Sequence, residues 1–304
     1  MKNKTSNGQN FYLKIMSNNK EIDPSGDAES FNENWKKRPE TQYLHWTRGE
    51  PENQIQLAFR RHWLTFKNLI GERYGSKRCL EVGCGRGSLS AYFADEGWDC
   101  SLLDLSEAAI QQARQAFHAN GLKATFDIGD CLNLPYSEGT FDMVFSIGLL
   151  EHFKNFEKVI SEQFRVLAPD GLFIGYVVPE LQDNIQANYN WINDLLKKLL
   201  PQETLNASET KTEVYRSDSL SPPYLEVMRN IGFVEISNQG TYPLPMISHS
   251  PEFPFSLLPK AAEESLVQTF KMMLENRENE NGGDPWLCEE GLGQAFLIWG
   301  RKNK

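Results

Sequence analysis

Residues 79–87 decide the fold of this chain, and they read Cys79-Leu80-Glu81-Val82-Gly83-Cys84-Gly85-Arg86-Gly87. An apolar run over 78–82 leads into three glycines at alternate positions, and an amphipathic segment follows directly. This order predicts a buried strand, a tight turn and a helix, because glycine tolerates positive φ and lets a ligand approach bare backbone. The helix N-terminus presents free N–H groups and the positive end of its dipole, so we expect an anionic ligand group at this turn.

The spacing of the glycines separates two kinds of nucleotide ligand. The dinucleotide fingerprint G-x-G-x-x-G needs a glycine where this chain has Ser88, and Gly87 makes the pattern G-x-G-x-G instead. Glu81 precedes the first glycine by two residues, where a carboxylate suits a cation better than a pyrophosphate. S-adenosylmethionine carries an ammonium, a sulfonium and one carboxylate. The pattern therefore favours S-adenosylmethionine over a dinucleotide.

The segments that follow predict a doubly wound α/β sheet. Further strands are expected at 99–104, 124–128, 141–147 and 172–178, the last after a turn at Pro169-Asp170-Gly171. An acidic residue about 20 positions beyond the glycine turn commonly holds a ribose diol. Asp104 has that spacing. A plain turn residue before a helix cap is the alternative for Asp104.

The chain resembles the class I S-adenosylmethionine-dependent methyltransferase family in six motifs. They lie at 80–87, 103–106, 129–135, 141–144, 150–153 and 165–171. The resemblance is close over about residues 50–180, and it resumes at 224–233 and 295–302. It implies a seven-stranded, mostly parallel sheet with an antiparallel last strand, and S-adenosylmethionine as the cofactor.

The resemblance also implies roles for residues around the glycine turn. Gly83 and Gly85 border the methionine part of the cofactor, and Glu81 lies nearby. Asp104 holds the ribose hydroxyls, and Leu105 packs on the adenine.

Further roles follow for residues after the third and fourth strands. Asp130 accepts a hydrogen bond from the adenine amino group, Cys131 supplies backbone there, and Ile147 lines the floor where donor and acceptor meet. As a side chain, Cys131 is more simply a small buried filler than a reactive thiol. Glu151 and His152 are the candidate catalytic pair if a proton must leave the acceptor. His152 could equally close the strand–helix turn, and a thioether or tertiary amine would need no base.

Composition limits the classes of partner and compartment. The chain has 304 residues, 40% of them hydrophobic, which suits one large core. The net charge of −10 argues against a nucleic-acid substrate, because phosphate binding needs clustered Lys and Arg. Five cysteines without a CxxC pair suggest reduced thiols in the cytoplasm. We expect no metal site, no signal peptide and no membrane span.

Segments outside the core are expected to define the acceptor site. The sequence predicts a disordered tail at 1–30, an N-terminal helical lid at 31–75, and a methyltransferase domain at 76–304. Insertions follow the fifth and sixth strands at 181–220 and 243–285. Insertions at the carboxyl ends of strands lie above the ligand crevice. These two could also form a homodimer surface.

Aromatic residues in these segments suggest an apolar pocket. Tyr43, Trp46, Phe253 and Phe255 are expected to form its wall, because aromatic side chains left in water forgo burial energy. A small-molecule acceptor is therefore favoured, with the methylated atom (N, O, S or C) left open. A protein or tRNA methyltransferase and a non-catalytic cofactor-binding scaffold are the alternatives.

Overall fold

The computed structural model describes residues 32–33, 35–36, 45–72, 76–199, 215–247 and 258–304, with side chains omitted at 196–199. Strands and helices alternate over the first half of this part of the chain. In order, the elements are α1 (Gln54–Ile70), β1 (Arg78–Val82), α2 (Ser88–Asp95), β2 (Asp99–Asp104), α3 (Glu107–Ala119), β3 (Thr125–Ile128), β4 (Phe141–Ile147), α4 (Glu157–Val166), β5 (Leu167–Val177), α5 (Asn190–Leu199), α6 (Pro222–Ile231), β6 (Phe233–Thr241), α7 (Lys260–Asn281), β7 (Leu287–Cys288) and β8 (Ala295–Lys302).

The described strands form one sheet with the order β3-β2-β1-β4-β5-β8-β6-β7. Strands β1 to β5 pair in parallel, whereas β8 runs antiparallel to both β5 and β6. This confirms the predicted α/β sheet with an antiparallel last strand. The predicted count of seven is wrong, because the sheet has eight strands. The extra strand, β7, pairs only with the end of β6, and two residues are too few to show an alternating pattern.

Helices cover both faces of the sheet, as a doubly wound fold requires. On one face, Phe66 of α1 and Ile110 of α3 share a hydrophobic cluster with Phe145 of β4. On the other, Ile160 of α4 packs in a cluster with Val144 of β4. Strand β4 is thus covered on both sides, which explains its almost wholly apolar sequence.

The predicted strand boundaries hold for β1, β2 and β4 and differ elsewhere. Strand β3 begins at residue 125, and β5 begins at 167 instead of 172. The expected turn at 169–171 is an irregularity inside β5, where Asp170 has a φ of 63° and the pairing register with β4 shifts. Residues 169–171 thus interrupt the regular strand, but the pairing of β5 with β4 continues on both sides of them.

Each of the two predicted insertions contains a helix. Helix α5 lies within 181–220, and α7 begins within 243–285 and ends at Asn281. None of the helices in the described part of the chain is long and apolar enough to span a bilayer.

Side chains anchor the start of the second insertion to the rest of the fold. The Gln54 amide accepts a hydrogen bond from Ile247 N at 2.9 Å and donates one to the Ile247 carbonyl. Gln186 Oε1 likewise accepts from Met246 N at 2.7 Å. Segment 243–247 therefore lies fixed between α1 and the first insertion, close to the carboxyl ends of the strands.

Candidate functional site

The glycine turn after β1 has the predicted backbone. Gly83, Gly85 and Gly87 have φ values of 70°, 51° and 66°. The N–H of Gly83 donates to the Leu103 carbonyl at 2.8 Å, which couples the turn to β2. A Cβ at Gly87 would overlap the Leu102 side chain. Gly87 therefore permits the close packing of helix and strand that the third glycine provides in the dinucleotide pattern.

Asp104 joins the two loops that lead away from β1 and β2. Its Oδ2 accepts from Gly85 N at 2.9 Å, and its Oδ1 accepts from Ser106 N at 2.8 Å. Burial raises the pKa of this carboxyl, and the backbone donors oppose the shift. The second strand thus places Asp104 directly beside the glycine turn, as the ribose assignment requires.

Glu81 lies deeper than the sequence suggested. Its side chain is 3% exposed, and it accepts hydrogen bonds from the Ser90 hydroxyl at 2.5 Å and the Ser90 N–H at 3.2 Å. Burial raises its pKa to about 8, although these hydrogen bonds lower it. This pKa favours a protonated Glu81 at neutral pH, whereas an ammonium beside it would favour the charged carboxylate.

The remaining predicted cofactor residues line the same edge of the sheet. The Asp130 carboxylate accepts from Leu132 N at 2.9 Å, which shapes the loop after β3. Leu105 directly follows β2 and is half-buried. Burial raises the pKa of the Cys131 thiol, so it is unreactive at neutral pH and suits the filler role. Ile147 ends β4 and packs against the first hydrophobic cluster.

Trp35 contacts the glycine turn, and sequence reasoning did not assign it to the site. A Cβ at Gly85 would lie only 2.7 Å from the indole Cζ2. The Trp35 carbonyl accepts from Gln112 Nε2 at 2.9 Å, and the Arg86 guanidinium lies 5.9 Å from the indole ring centre. The aromatic residues scattered among charges at 31–50 were the available signal. The composition of this segment does not show that Trp35 contacts the glycine turn.

Asn32 anchors the same segment to the second loop. Its Oδ1 accepts from the Ser106 hydroxyl at 2.9 Å. Ser106 also caps α3 by accepting from Ala109 N at 3.2 Å. Of the predicted wall residues, Trp46 is 7% exposed and packs edge-on against Tyr92, while Tyr43, Phe253 and Phe255 lie outside the described residues.

The predicted acid and imidazole follow β4 in a short 3₁₀ turn. Glu151 is 0% exposed, and neither carboxyl oxygen has a hydrogen-bond partner in the described part of the chain. Burial raises its pKa to about 7, and the Arg216 charge acts in the opposite direction. His152 Nδ1 lies 2.7 Å from the Tyr215 carbonyl, and burial lowers the pKa of its ring. Because a carbonyl only accepts, Nδ1 carries a proton, and the lowered pKa of the ring favours the neutral imidazole.

A buried aromatic cluster borders this turn and was not predicted. Tyr176 of β5 pairs with Ile147, and its ring lies 4.6 Å from that of His62. His62 also contacts Tyr242, and its Nδ1 accepts from the Trp286 indole N–H at 2.9 Å. Burial lowers the pKa of His62 to about 3, so the ring is neutral.

The described residues contain no candidate metal site, because no three His, Cys, Asp or Glu side chains among them are placed to hold an ion. A cleft of about 480 Å³ opens elsewhere, between the end of α7 and β7, and is lined by Arg277, Asp284 and Cys288. It lies at the far edge of the sheet from the glycine turn. We therefore place the candidate site at the turn, where the ligand-type residues converge.

Comparison with known proteins agrees with this geometry. A family model described as a methyltransferase domain matches residues 80–175. Norajmaline N-methyltransferase from Rauvolfia serpentina is 43% identical over 96 residues, which cover 31% of this chain and 33% of that protein. Chloroplastic tocopherol O-methyltransferase from Arabidopsis thaliana is 28% identical over 174 residues, covering 52% and 50%. The chain thus spans a third to a half of these curated relatives.

A solved structure supports the fold over a longer stretch. A sarcosine dimethylglycine methyltransferase candidate from Galdieria sulphuraria superposes with a TM-score of 0.51 at 16% identity, covering 92% of this chain and 99% of that one. At this identity the likeness shows the fold alone. The matched methyltransferase domain, the strand order and the glycine turn confirm the predicted resemblance to the class I S-adenosylmethionine-dependent methyltransferase family, whose cofactor is S-adenosylmethionine.

Proposed function

We propose that this protein transfers the methyl group of S-adenosylmethionine to a small-molecule acceptor bound at the carboxyl ends of β4 and β5. The observation that carries the proposal is the junction at Asp104, whose carboxylate accepts from Gly85 N and Ser106 N. This junction brings the ribose-type acid, the glycine turn and the N-terminus of α2 to one edge of the sheet. The cofactor supplies a methyl group on a good leaving group.

The residues around the turn fit the parts of this cofactor. Bare backbone at Gly83 and Gly85, with the N-terminus of α2, suits the methionine carboxylate. Glu81 suits the ammonium, and Asp104 and Leu105 suit the ribose and adenine. Asp130 would accept a hydrogen bond from the adenine amino group, and Cys131 would offer backbone there.

The protein's contribution to the reaction is alignment and exclusion of water. Methyl transfer is an in-line displacement, so holding the two reacting atoms in line replaces a bimolecular encounter. Ile147 and Tyr176 lie side by side at the end of the sheet and form the floor on which the acceptor rests. Glu151 and His152 are the groups able to take up a proton there.

We further propose that segment 31–75 acts as a lid and that Tyr43, Trp46, Phe253 and Phe255 wall the acceptor. Trp35 against the glycine turn supports the lid, because a bulky ring on that surface excludes water from the cofactor. The net charge of −10 makes nucleic acid a poor partner, and the five free cysteines suit the cytoplasm. A homodimer is the remaining possibility for the insertion surfaces.

Two experiments in sequence test this function. Calorimetric titration should show binding of S-adenosylmethionine and S-adenosylhomocysteine and negligible binding of NAD. Incubation with methyl-labelled cofactor and a cell extract should then place label in the metabolite fraction. Label in protein or tRNA would favour the alternative methyltransferase. Binding without any labelled product would favour the scaffold, and absence of cofactor binding would refute the proposal altogether.

A further inference from the structure

We infer that the acceptor is a basic amine, and that Glu151 is its counter-ion and takes up its proton. This inference rests on the proposed function and narrows it to one class of acceptor. Neither oxygen of the buried Glu151 carboxyl has a hydrogen-bond partner among the described residues. A carboxyl buried without hydrogen-bond donors is unfavourable, so a ligand that supplies a donor or a positive charge would be bound strongly there.

Glu151 has the surroundings of such a group. The N–H groups of Glu151 itself and of Val178 are close enough to lower its pKa, yet neither reaches hydrogen-bond geometry with the carboxyl oxygens. Arg216 acts on it only at a distance, since none of the ion pairs among the described residues joins Glu151 to a cation. The other titratable groups that influence or sense it are the hydroxyls of Tyr176 and Tyr224.

The carboxyl group lies at the carboxyl end of β4, beside the proposed acceptor site. A Cβ on Gly148 would lie 3.5 Å from Glu151 Oε1, so the carboxyl rests against the turn that ends β4. The N–H of Gly148 donates to the Tyr176 carbonyl at 2.9 Å, which holds this turn beside β5. Ile147, the expected floor of the methyl-transfer site, directly precedes that turn.

The neighbouring rings favour a cation over a neutral acceptor. Tyr176 belongs to the aromatic cluster with His62, Tyr242 and Trp286. The faces of such rings attract ammonium groups. His62 stays uncharged because burial lowers its pKa to about 3, so it does not repel a cation. An amine would thus pair its charge with the carboxylate next to this aromatic cluster, whereas an alcohol would bring no charge.

Glu151 is the one side chain needed to accept the proton that the amine loses. The bound ammonium passes one proton to the Glu151 carboxylate, which leaves a neutral amine with its lone pair. The lone pair attacks the methyl carbon, the carbon–sulfur bond breaks, and its electron pair stays on sulfur. The product is the methylated ammonium, and the Glu151 carboxyl returns its proton to solvent when the product leaves.

Matched ligand pairs test the inference by binding. The protein is saturated with S-adenosylhomocysteine and titrated with 2-phenylethylamine against 2-phenylethanol, and with tryptamine against tryptophol. Both amines should bind at least about tenfold more tightly than their alcohols, as expected for a hydrogen-bonded charge pair. Glu151→Gln should remove this preference and leave alcohol binding unchanged. Glu157→Gln, at an exposed position in the first turn of α4, should behave like the wild type.

The pH dependence gives a second readout that needs no variant. Amine affinity of the wild type should fall as the pH drops below about 7, where Glu151 becomes protonated. Alcohol affinity should not change. If the Gln variant fails to bind S-adenosylhomocysteine, this wild-type profile decides. Equal binding of amines and alcohols, no binding of either amine, or a flat amine profile would overturn the inference. A wild type that does not bind S-adenosylhomocysteine would overturn the proposed function as well.

Discussion

Replacing Asp104 with alanine should weaken cofactor binding and the fold together, because one carboxylate serves two loops. The Asp104 carboxylate accepts hydrogen bonds from Gly85 N and Ser106 N. Leaving a donor without its partner costs about 1–3 kcal/mol each. Asp104 is half-buried, so water replaces part of this loss. We therefore expect the free energy of unfolding to fall by about 2–3 kcal/mol. This loss is smaller than the total stability of a typical domain, so the variant should still fold.

The effect on the cofactor adds to this. Two ribose hydroxyls that lose a charged acceptor should cost about 1–3 kcal/mol, or roughly 5- to 150-fold in Kd. Calorimetry with S-adenosylhomocysteine measures the affinity, and urea denaturation measures the stability. Asp99→Ala is the matched control, since Asp99 begins the same strand and is exposed. An Asp104→Ala protein with unchanged affinity and stability would show that this carboxylate does not organise the site.

Three other substitutions test single features of the structure. Gly87→Ala should lower the free energy of unfolding by about 2–5 kcal/mol, because its Cβ would overlap Leu102 at a positive φ. The control Gly97→Ala has open space around its Cβ and should lower it by about 1–2 kcal/mol. Equal losses for the two variants in urea denaturation would contradict this expectation. The raised pKa of Glu81 makes the folded protein hold a proton that the unfolded chain releases, so wild-type stability should fall from about pH 4.5 to about 8. Glu81→Gln should flatten that slope of unfolding free energy against pH, and an unchanged slope would locate its source elsewhere. Trp35→Ala should weaken S-adenosylhomocysteine binding by about tenfold in calorimetry, and wild-type affinity would argue against the lid.

Local sequence patterns predicted the glycine turn and the position of Asp104. The glycine turn was readable because positive φ and the strand–helix change of period are properties of neighbouring residues. Asp104 followed from its spacing to that turn. The Ser106 cap, which accepts from Ala109 N at 3.2 Å, depends on a local pattern of the same kind. The proposed position of the cofactor site therefore rests on local sequence patterns.

The sequence by itself thus predicted the family resemblance, the doubly wound α/β sheet with an antiparallel last strand, and the edge of the sheet at which we propose that the cofactor binds. Only the tertiary structure decided that β7 adds an eighth strand, that Trp35 lies on Gly85, and that the Glu151 carboxyl has no partner in the described residues. These features depend on contacts between distant segments, as with His62 and Trp286, which lie 224 residues apart in the chain. Burial and pKa follow from such packing, and no local pattern of residues encodes them.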